Sequence, residues 1–569
     1  MTLQHDPEVD SVTTATRPCP HVTHELSNQP PPRVDVDELT THVCLVEGVR
    51  RFDAEWALDL LGEVGRLVGS ASFQHDAELA NSQTPVLHGF DRWGGRIDEV
   101  EYHPAYHRII GDAVNHGAHT SAWAQPRPGA NVARAATFFL FAQVEPGHAC
   151  PVSMSHAAVP SLLLQPDVAA DWVPRLLSRS YDPTLGDGTK ASAIFGMAMT
   201  EKQGGSDVRA NTTVAVPAGT GGPGATYLLT GHKWFCSAPM SDAFLVLAQA
   251  SGPGGEGLSC FLVPRVLPDG TRNVFRVQRL KDKLGNRSNA SSEIELDGTV
   301  AVMVGEPGRG VRTIIEMVNR TRLDCIIGSA AGMRQSVAEA VWHARHREAF
   351  GRLLVDQPAM DAVLADLALE SEAATLVALR LARAYDDDAD DAEIAFRRLA
   401  TAVVKYWVCK RGPHHAYEAL ECLGGGGYTE EFPLARRYRE QPVMAVWEGS
   451  GNVIALDVLR ALAREADALD AFDAEVSTAR GAHALLDAHL DATRALAVRV
   501  TGMDADEAQR NARRLVEAMA LSLQAALLVR HAPDPVAAAF VGARLGSDRG
   551  HQYGVLPAGA DTAAILERA

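Results

Sequence analysis

No CxxC pair occurs in this chain. Its eight cysteines, at positions 19, 44, 150, 236, 260, 325, 409 and 422, are scattered through 569 residues. That spacing argues against a disulfide framework or a zinc site and for reduced thiols in a cytoplasmic protein. No apolar run approaches the ~18 residues of a membrane span. The stretch from Met1 to Pro20 is polar and lacks the apolar core of a secretory signal. Positive charge is also short: 53 Lys and Arg against 71 Asp and Glu leave a formal net charge of −18. A general polyanion binder needs cationic excess, so contact with nucleic acid would have to come from a local patch. No internal repeat is evident. The glycine run at 424–427 is not followed by Gly-Lys-Ser/Thr and does not follow a strand, so it is neither a Walker loop nor a dinucleotide fingerprint.

Apolar residues, by contrast, make up 46% of the chain, ample for several cores, and the length predicts roughly three or four domains. Residues 1–40 carry Asp, Thr, His and the Pro30-Pro31-Pro32 run and read as an extended or disordered arm. Helical spacing begins near Trp56, and His103-Pro104 opens a further helix with proline where its missing N–H costs nothing. Asp91 to Asp98 reads as a turn. Residues 41–194 are therefore expected to form a helical domain. Strand-like runs separated by Gly and Pro then appear at Tyr227–Leu229, Trp234–Cys236, Phe244–Leu247, Cys260–Val263, Val274–Val277 and Ile294–Leu296, predicting a β domain over 195–305. The helical period returns for a bundle over 306–465. A last block, 466–569, is Ala-rich with Arg but no Lys. The expected fold is mainly α with a central β domain.

The most informative stretch is Met199-Thr200-Glu201-Lys202-Gln203-Gly204-Gly205-Ser206-Asp207, which follows the apolar run Ala193–Ala198. A strand end breaking into Gly-Gly-Ser-Asp puts backbone N–H groups, two hydroxyls and two carboxylates in a small space. Alone, it is no more than a surface turn. Three stretches downstream give it company: Gly231 to Ser237, Arg347 to Arg352, and Glu421 to Glu440 with its four glycines. A fourth, Val446-Trp447-Glu448-Gly449-Ser450-Gly451-Asn452, sets a carboxylate between an aromatic ring and a glycine. Burial against Trp447 would raise that carboxyl toward the working range of a base.

Together these stretches resemble the signatures of the acyl-CoA dehydrogenases, over roughly Phe90 to Arg460, with wording nearest the AidB-like, adaptive-response branch. The resemblance implies a helical domain, a β-barrel-like domain, a helical bundle and an extra C-terminal helical domain. It implies non-covalent FAD, an acyl-CoA thioester substrate, a separate electron-acceptor flavoprotein and a homotetramer. Glu448 would be the base that removes the proton beside the thioester carbonyl. Some members place the base in an earlier helix, where this chain has Thr321 ahead of Arg322. Met199 and Thr200 would meet the flavin pyrimidine edge. Ser206 would lie near the thioester and pantetheine. Phe235 would shield one flavin face, where the family usually has Trp, and Ser237 would approach N5. Arg347 and Phe350 match an Arg-x-x-Phe-Gly motif whose Arg meets the flavin pyrophosphate of a neighbouring subunit. Gln357, followed by Pro358, replaces the usual His-Gln pair. Gly424, Gly425, Gly427, Ser450 and Asn452 match further cofactor positions, and Arg322 a substrate-side arginine. In the AidB-like branch the arm lies across a neighbouring subunit and the last domain is held to contact DNA. Arg510, Arg513 and Arg514 have a spacing that could share one helix face for that purpose.

Overall fold

The computed structural model describes residues 23–186, 189–252, 254–547 and 549–569. The first 22 residues of the expected arm lie outside the described residues. The rest of the arm lies on its own chain: Trp342 Nε1 donates to Pro31 O, Arg347 Nη1 donates to Asn28 O, and Arg33 pairs with Glu38 in the interior.

Helices dominate residues 43–176. The chain enters them earlier than the apolar spacing predicts, at Val43–Arg51, and continues through Leu58–Gly69 and Ala71–Ser82. Helix Pro104–Asn115 has proline in its first turn and a His103 side-chain cap. Ala130–Val144 is buried along its whole length, and Ala149–Leu162 nearly so. A helix apolar all round belongs at the centre of a core rather than on its surface. The stretch expected as a simple turn is a hairpin, with strand Val86–Phe90 antiparallel to Arg96–Glu101. Ile97 and Asp98 are therefore strand residues. Asp91 closes the loop by accepting from the Trp93 and Gly95 N–H groups.

The central sheet has seven strands. Strand Thr226–Ser237 pairs with Val214–Pro217 and with Ser291–Val304. Ser291–Val304 pairs with Gly257–Pro264, which pairs with Ala243–Ala250, which returns to Val214–Pro217. The pairing closes on itself and leaves a barrel-like domain filled by Tyr227, Phe244, Phe261, Phe275 and their neighbours. Tyr227–Leu229 and Trp234–Cys236 belong to one long strand, not two, because Gly231 at φ 154° lets the backbone run on through the break. Strand Phe195–Ala198 joins in parallel beside Ala243–Ala250 and delivers the Met199 loop to the barrel rim.

Beyond the sheet run helices Gly310–His346, Pro358–Arg383 and Asp391–Glu421. These bundle with Pro433–Met444 and Gly451–Arg464. Ala466–Ser477, Ala484–Thr501, Ala505–His531 and Asp534–Leu545 complete the C-terminal block. Its Leu486, Leu515, Leu523 and Phe540 share one continuous core with the bundle and the N-terminal helices. No helix among the described residues is long and apolar enough to cross a membrane.

Candidate active site

Glu448 stands in a turn, three residues ahead of helix Gly451–Arg464, at φ 58°. Gly449 follows at φ 111°. Two cations hold this bend. Arg322 Nε donates to Glu448 O at 3.0 Å, and the buried Lys405 donates its Nζ to Gly449 O at 2.5 Å. Arg322 Nη1 also binds Asp457 at 2.8 Å. Arg322 thus serves the backbone of the base rather than a free anion site. Trp447 packs beside Cys325, Cys409 and Met444. Burial pushes the Glu448 carboxyl above the ordinary range, against the Thr321 hydroxyl and the Arg322 and Lys405 charges, which pull it down. Its Oε2 is buried and finds no hydrogen-bond partner among the described residues. A buried carboxylate oxygen without a partner is costly and is a natural place for a ligand proton. Thr321, at the alternative base position, therefore lies next to Glu448.

Ser237 and Glu448 both act on one buried thiol. The Cys150 thiol, on helix Ala149–Leu162, lies between the two: burial raises it to about 11, with Lys283, a Ser237 hydrogen bond, the Glu448 charge and Asn289 acting on it. Sequence reasoning did not single out Cys150 or Lys283. A lone cysteine and a lysine outside the quoted signatures give no signal in the sequence. Ser237 Oγ is 3.0 Å from Ser291 Oγ on the neighbouring strand. One residue pair away, Phe235 keeps half of its surface open. Trp234 beside it is covered by cations, with Lys281 Nζ 3.2 Å from its ring centre.

The Met199 loop is tied to that strand. Trp234 N donates to Thr200 O at 2.8 Å, and Asn211 Nδ2 to Met199 O at 2.9 Å. Glu201 is buried and fully used: Lys233 Nζ, Gln203 Nε2 and the Thr212 and Thr213 N–H groups all donate to it. This carboxylate therefore anchors the loop and is not ligand hardware. Gly205 leaves room for Thr200, since a Cβ there would stand 2.4 Å from Thr200 Oγ1. Ser206 is exposed at the rim.

The remaining candidates are elsewhere. Arg347 ends helix Gly310–His346, roughly 35 Å along the axis from Arg322 at 1.5 Å per residue. Phe350 is 99% exposed at φ 54° in a tight hairpin, which Gln357 Nε2 braces by donating to Ala349 O. Gly424 and Gly425 face open space, whereas a Cβ on Gly427 would strike Leu420 O at 2.1 Å. The glycine requirement at Gly427 is thus a packing one. Ser450 and Asn452 are exposed at the start of helix Gly451–Arg464. Arg513 Nε donates to Asn452 Oδ1 at 2.9 Å on the surface, so one member of the expected arginine triad is engaged by its own chain. Arg510 lies 4.0 Å from Asp506 on its own helix.

Residues 28–183 match the family described as adaptive response protein AidB N-terminal domain. Residues 196–299 match the acyl-CoA dehydrogenase middle domain, and 308–463 its C-terminal domain. AidB of Escherichia coli (strain K12) is 47% identical over 451 residues, covering 79% of this chain and 82% of the relative. Acyl-CoA dehydrogenase family member 11 of Caenorhabditis elegans is 30% identical over 430 residues, 72% and 68% of the two chains. The crystal structure of Caenorhabditis elegans ACDH-11 in complex with C11-CoA superposes with a TM-score of 0.82 at 27% identity, covering 91% of each chain.

Proposed function

Because the chain belongs to the acyl-CoA dehydrogenase family, in its AidB-like branch, we propose that it is an FAD-dependent oxidoreductase that desaturates an acyl-CoA thioester between its α and β carbons. The observation that carries this reading is the Glu448 carboxyl, raised by burial and left with an unpartnered buried Oε2, acting on the same Cys150 thiol as Ser237. The residues fit a flavin. The exposed Phe235 face, the Ser237 hydroxyl, the Thr200 loop held close by Gly205 and the open backbone at Gly424 and Gly425 suit a flat ring with a phosphate tail. Bound FAD supplies the hydride acceptor that no protein side chain offers.

The chain's own groups do the rest. Glu448 removes the α proton of the thioester through Oε2. Its elevated pKa brings its basicity toward the working pH, and the Arg322 and Lys405 bonds fix the bend that aims it. Trp447 and its sulfur-rich neighbours keep water from its back. Met199, Thr200, Ser206, Phe235 and Ser237 orient the ring and thioester. Electrons leave to a separate acceptor flavoprotein. The solved relative from Caenorhabditis elegans holds C11-CoA, which supports an acyl-CoA substrate for this chain.

The assembly is a homotetramer in this reading. The span between Arg322 and Arg347 supports it, because Arg347, Phe350, Gln357 and the 424–427 glycines then serve the flavin of a neighbouring subunit. Light scattering at micromolar concentration checks the assembly, and a monomer rejects it. The DNA-protecting reading draws on the AidB likeness, but the bond from Arg513 to Asn452 leaves Arg510 and Arg514 to carry it. The direct test of the main reading is anaerobic titration of the purified yellow protein with a series of acyl-CoA thioesters. Bleaching by at least one of them is expected. A protein that binds no FAD after reconstitution, or one that no thioester bleaches, rejects it.

A further inference from the structure

Lys283 is used by nothing described so far. It lies in the loop before strand Ser291–Val304, and that loop is pinned on both sides. Glu440 accepts the Asn286 N–H at 2.8 Å on both oxygens, and Ser288 Oγ donates to Glu145 Oε1 at 2.6 Å. Gly285 fits against Arg439 O, where a Cβ would stand at 2.2 Å. The ammonium is therefore held in place. Its Nζ donates to Asn289 O at 2.6 Å and to Ser291 Oγ at 3.2 Å. Ser291 Oγ is in turn 3.0 Å from Ser237 Oγ.

The charge at one end of this row of three groups favours one direction. An ammonium can only donate. Ser291, once it accepts from Lys283, has its own proton left to give to Ser237. Ser237, once it accepts from Ser291, has its own proton left to give, and the Cys150 thiol is the group that now stands beside it. We propose that Lys283 is a positioning residue which, through Ser291, holds the Ser237 hydroxyl as a donor toward the bound flavin. An uncharged amine loses the charge that strengthens its donation and gains a lone pair able to accept from Ser291 while an N–H stays on Asn289 O. The row is then free to run the other way, with Ser237 donating to Ser291. The device is thus sensitive to pH.

The groups facing Lys283 from the elements around it are Cys150 on helix Ala149–Leu162, Glu440 on helix Pro433–Met444, and Glu145. Burial lowers the lysine to about 8, with those three raising it. Cys150 stands beside Ser237 but is pushed up to about 11, so the two titrations are separable.

The proposal rests on the flavin reading above, and the test distinguishes the two. The FAD-loaded protein is titrated across the range around pH 8, and the flavin absorption bands are followed. Lys283→Met, Ser291→Ala and Cys150→Ala are compared, with circular dichroism to establish folding. The parent is expected to show one spectral step near pH 8, lost in Lys283→Met and also in Ser291→Ala, but kept in Cys150→Ala. Ser291→Ala retains the lysine, so it carries the test even where Lys283→Met fails to fold. A flat parent spectrum, or a step that survives in Ser291→Ala, overturns the relay while the flavin reading stands. A step lost in Cys150→Ala reassigns the titration to the thiol and also overturns it. A parent that takes up no FAD overturns both.

Discussion

Arg322 Nε donates to the carbonyl oxygen of Glu448 at 3.0 Å, while its Nη1 binds Asp457 at 2.8 Å. The arginine thereby holds a backbone that would not otherwise stay bent. A non-glycine residue at positive φ costs on the order of 1–3 kcal/mol and persists only where its surroundings over-determine it. Lys405 grips the next carbonyl, and both cations also lower the pKa of the Glu448 carboxyl against the burial that raises it. One pair of side chains thus sets both the aim and the basicity of the base.

Glu448→Gln should keep the fold, the FAD and thioester binding, because amide and carboxylate are nearly isosteric. It should slow substrate-dependent flavin bleaching by ~10²–10⁴-fold, the usual worth of a general base. Thr321 has no carboxylate to rescue the step. Stopped-flow absorbance under anaerobic conditions reads the effect, and bleaching at the parent rate would remove Glu448 from the mechanism.

Arg322→Met should move the acid limb of the kcat/KM profile to higher pH. The sign follows from the charges. Arg322 lowers the Glu448 pKa, so its removal leaves burial less opposed and the pKa rises. The base must be ionised to work, so activity falls away at a higher pH. Lys405→Met should shift the limb in the same direction. A limb that stays put in both variants would mean that another group controls it.

Glu201→Gln should destabilise the protein by about 3–5 kcal/mol, the cost of breaking a buried ion pair by removing one partner. Lys233 would be left charged and buried, since both side chains are 0% exposed. Burial opposes the Glu201 charge, but hydrogen bonds from Gln203, Lys233, Thr212 and Thr213 outweigh it and hold the carboxyl well below its ordinary value. A depressed carboxyl contributes stability that is complete above its unfolded pKa, near 4.3. That contribution fades as pH falls from there toward the folded value. Thermal melts of parent and variant should therefore converge in acid, and parallel melts at every pH would refute the assignment.

Reversing the charge of Arg510, Arg513 and Arg514 together should abolish any salt-sensitive DNA binding and flatten its salt slope. Arg513 is bonded to Asn452, so the triple variant should also loosen the turn next to Glu448. The Arg510 and Arg514 pair alone should affect DNA only. Gel-shift titrations at several salt concentrations, read beside FAD content, separate the two effects. Unchanged DNA affinity in the triple variant would end this route.

The α–β–α order of this protein was legible in the sequence, because the apolar period switches from helical to alternating near Ala193 and back near Val311. The glycine after Glu448 and the tryptophan before it announced a bent, dry carboxylate. These are local properties, carried by residues a few positions apart, and the chain itself states them. The hairpin at Val86–Glu101 was not legible, because strand Val86–Phe90 carries glycine and histidine in a helical neighbourhood. Only the tertiary structure decided what holds the base and what lies behind Ser237. Arg322, Lys405 and Asp457 meet the Glu448 turn from three helices, and Cys150 and Lys283 reach Ser237 from a helix and a loop. Most of these partnerships join residues tens to hundreds of positions apart. Hydrogen bonds and burial act over a few ångströms of space, so the sequence could name the groups but only the packing of the helices against the barrel could introduce them.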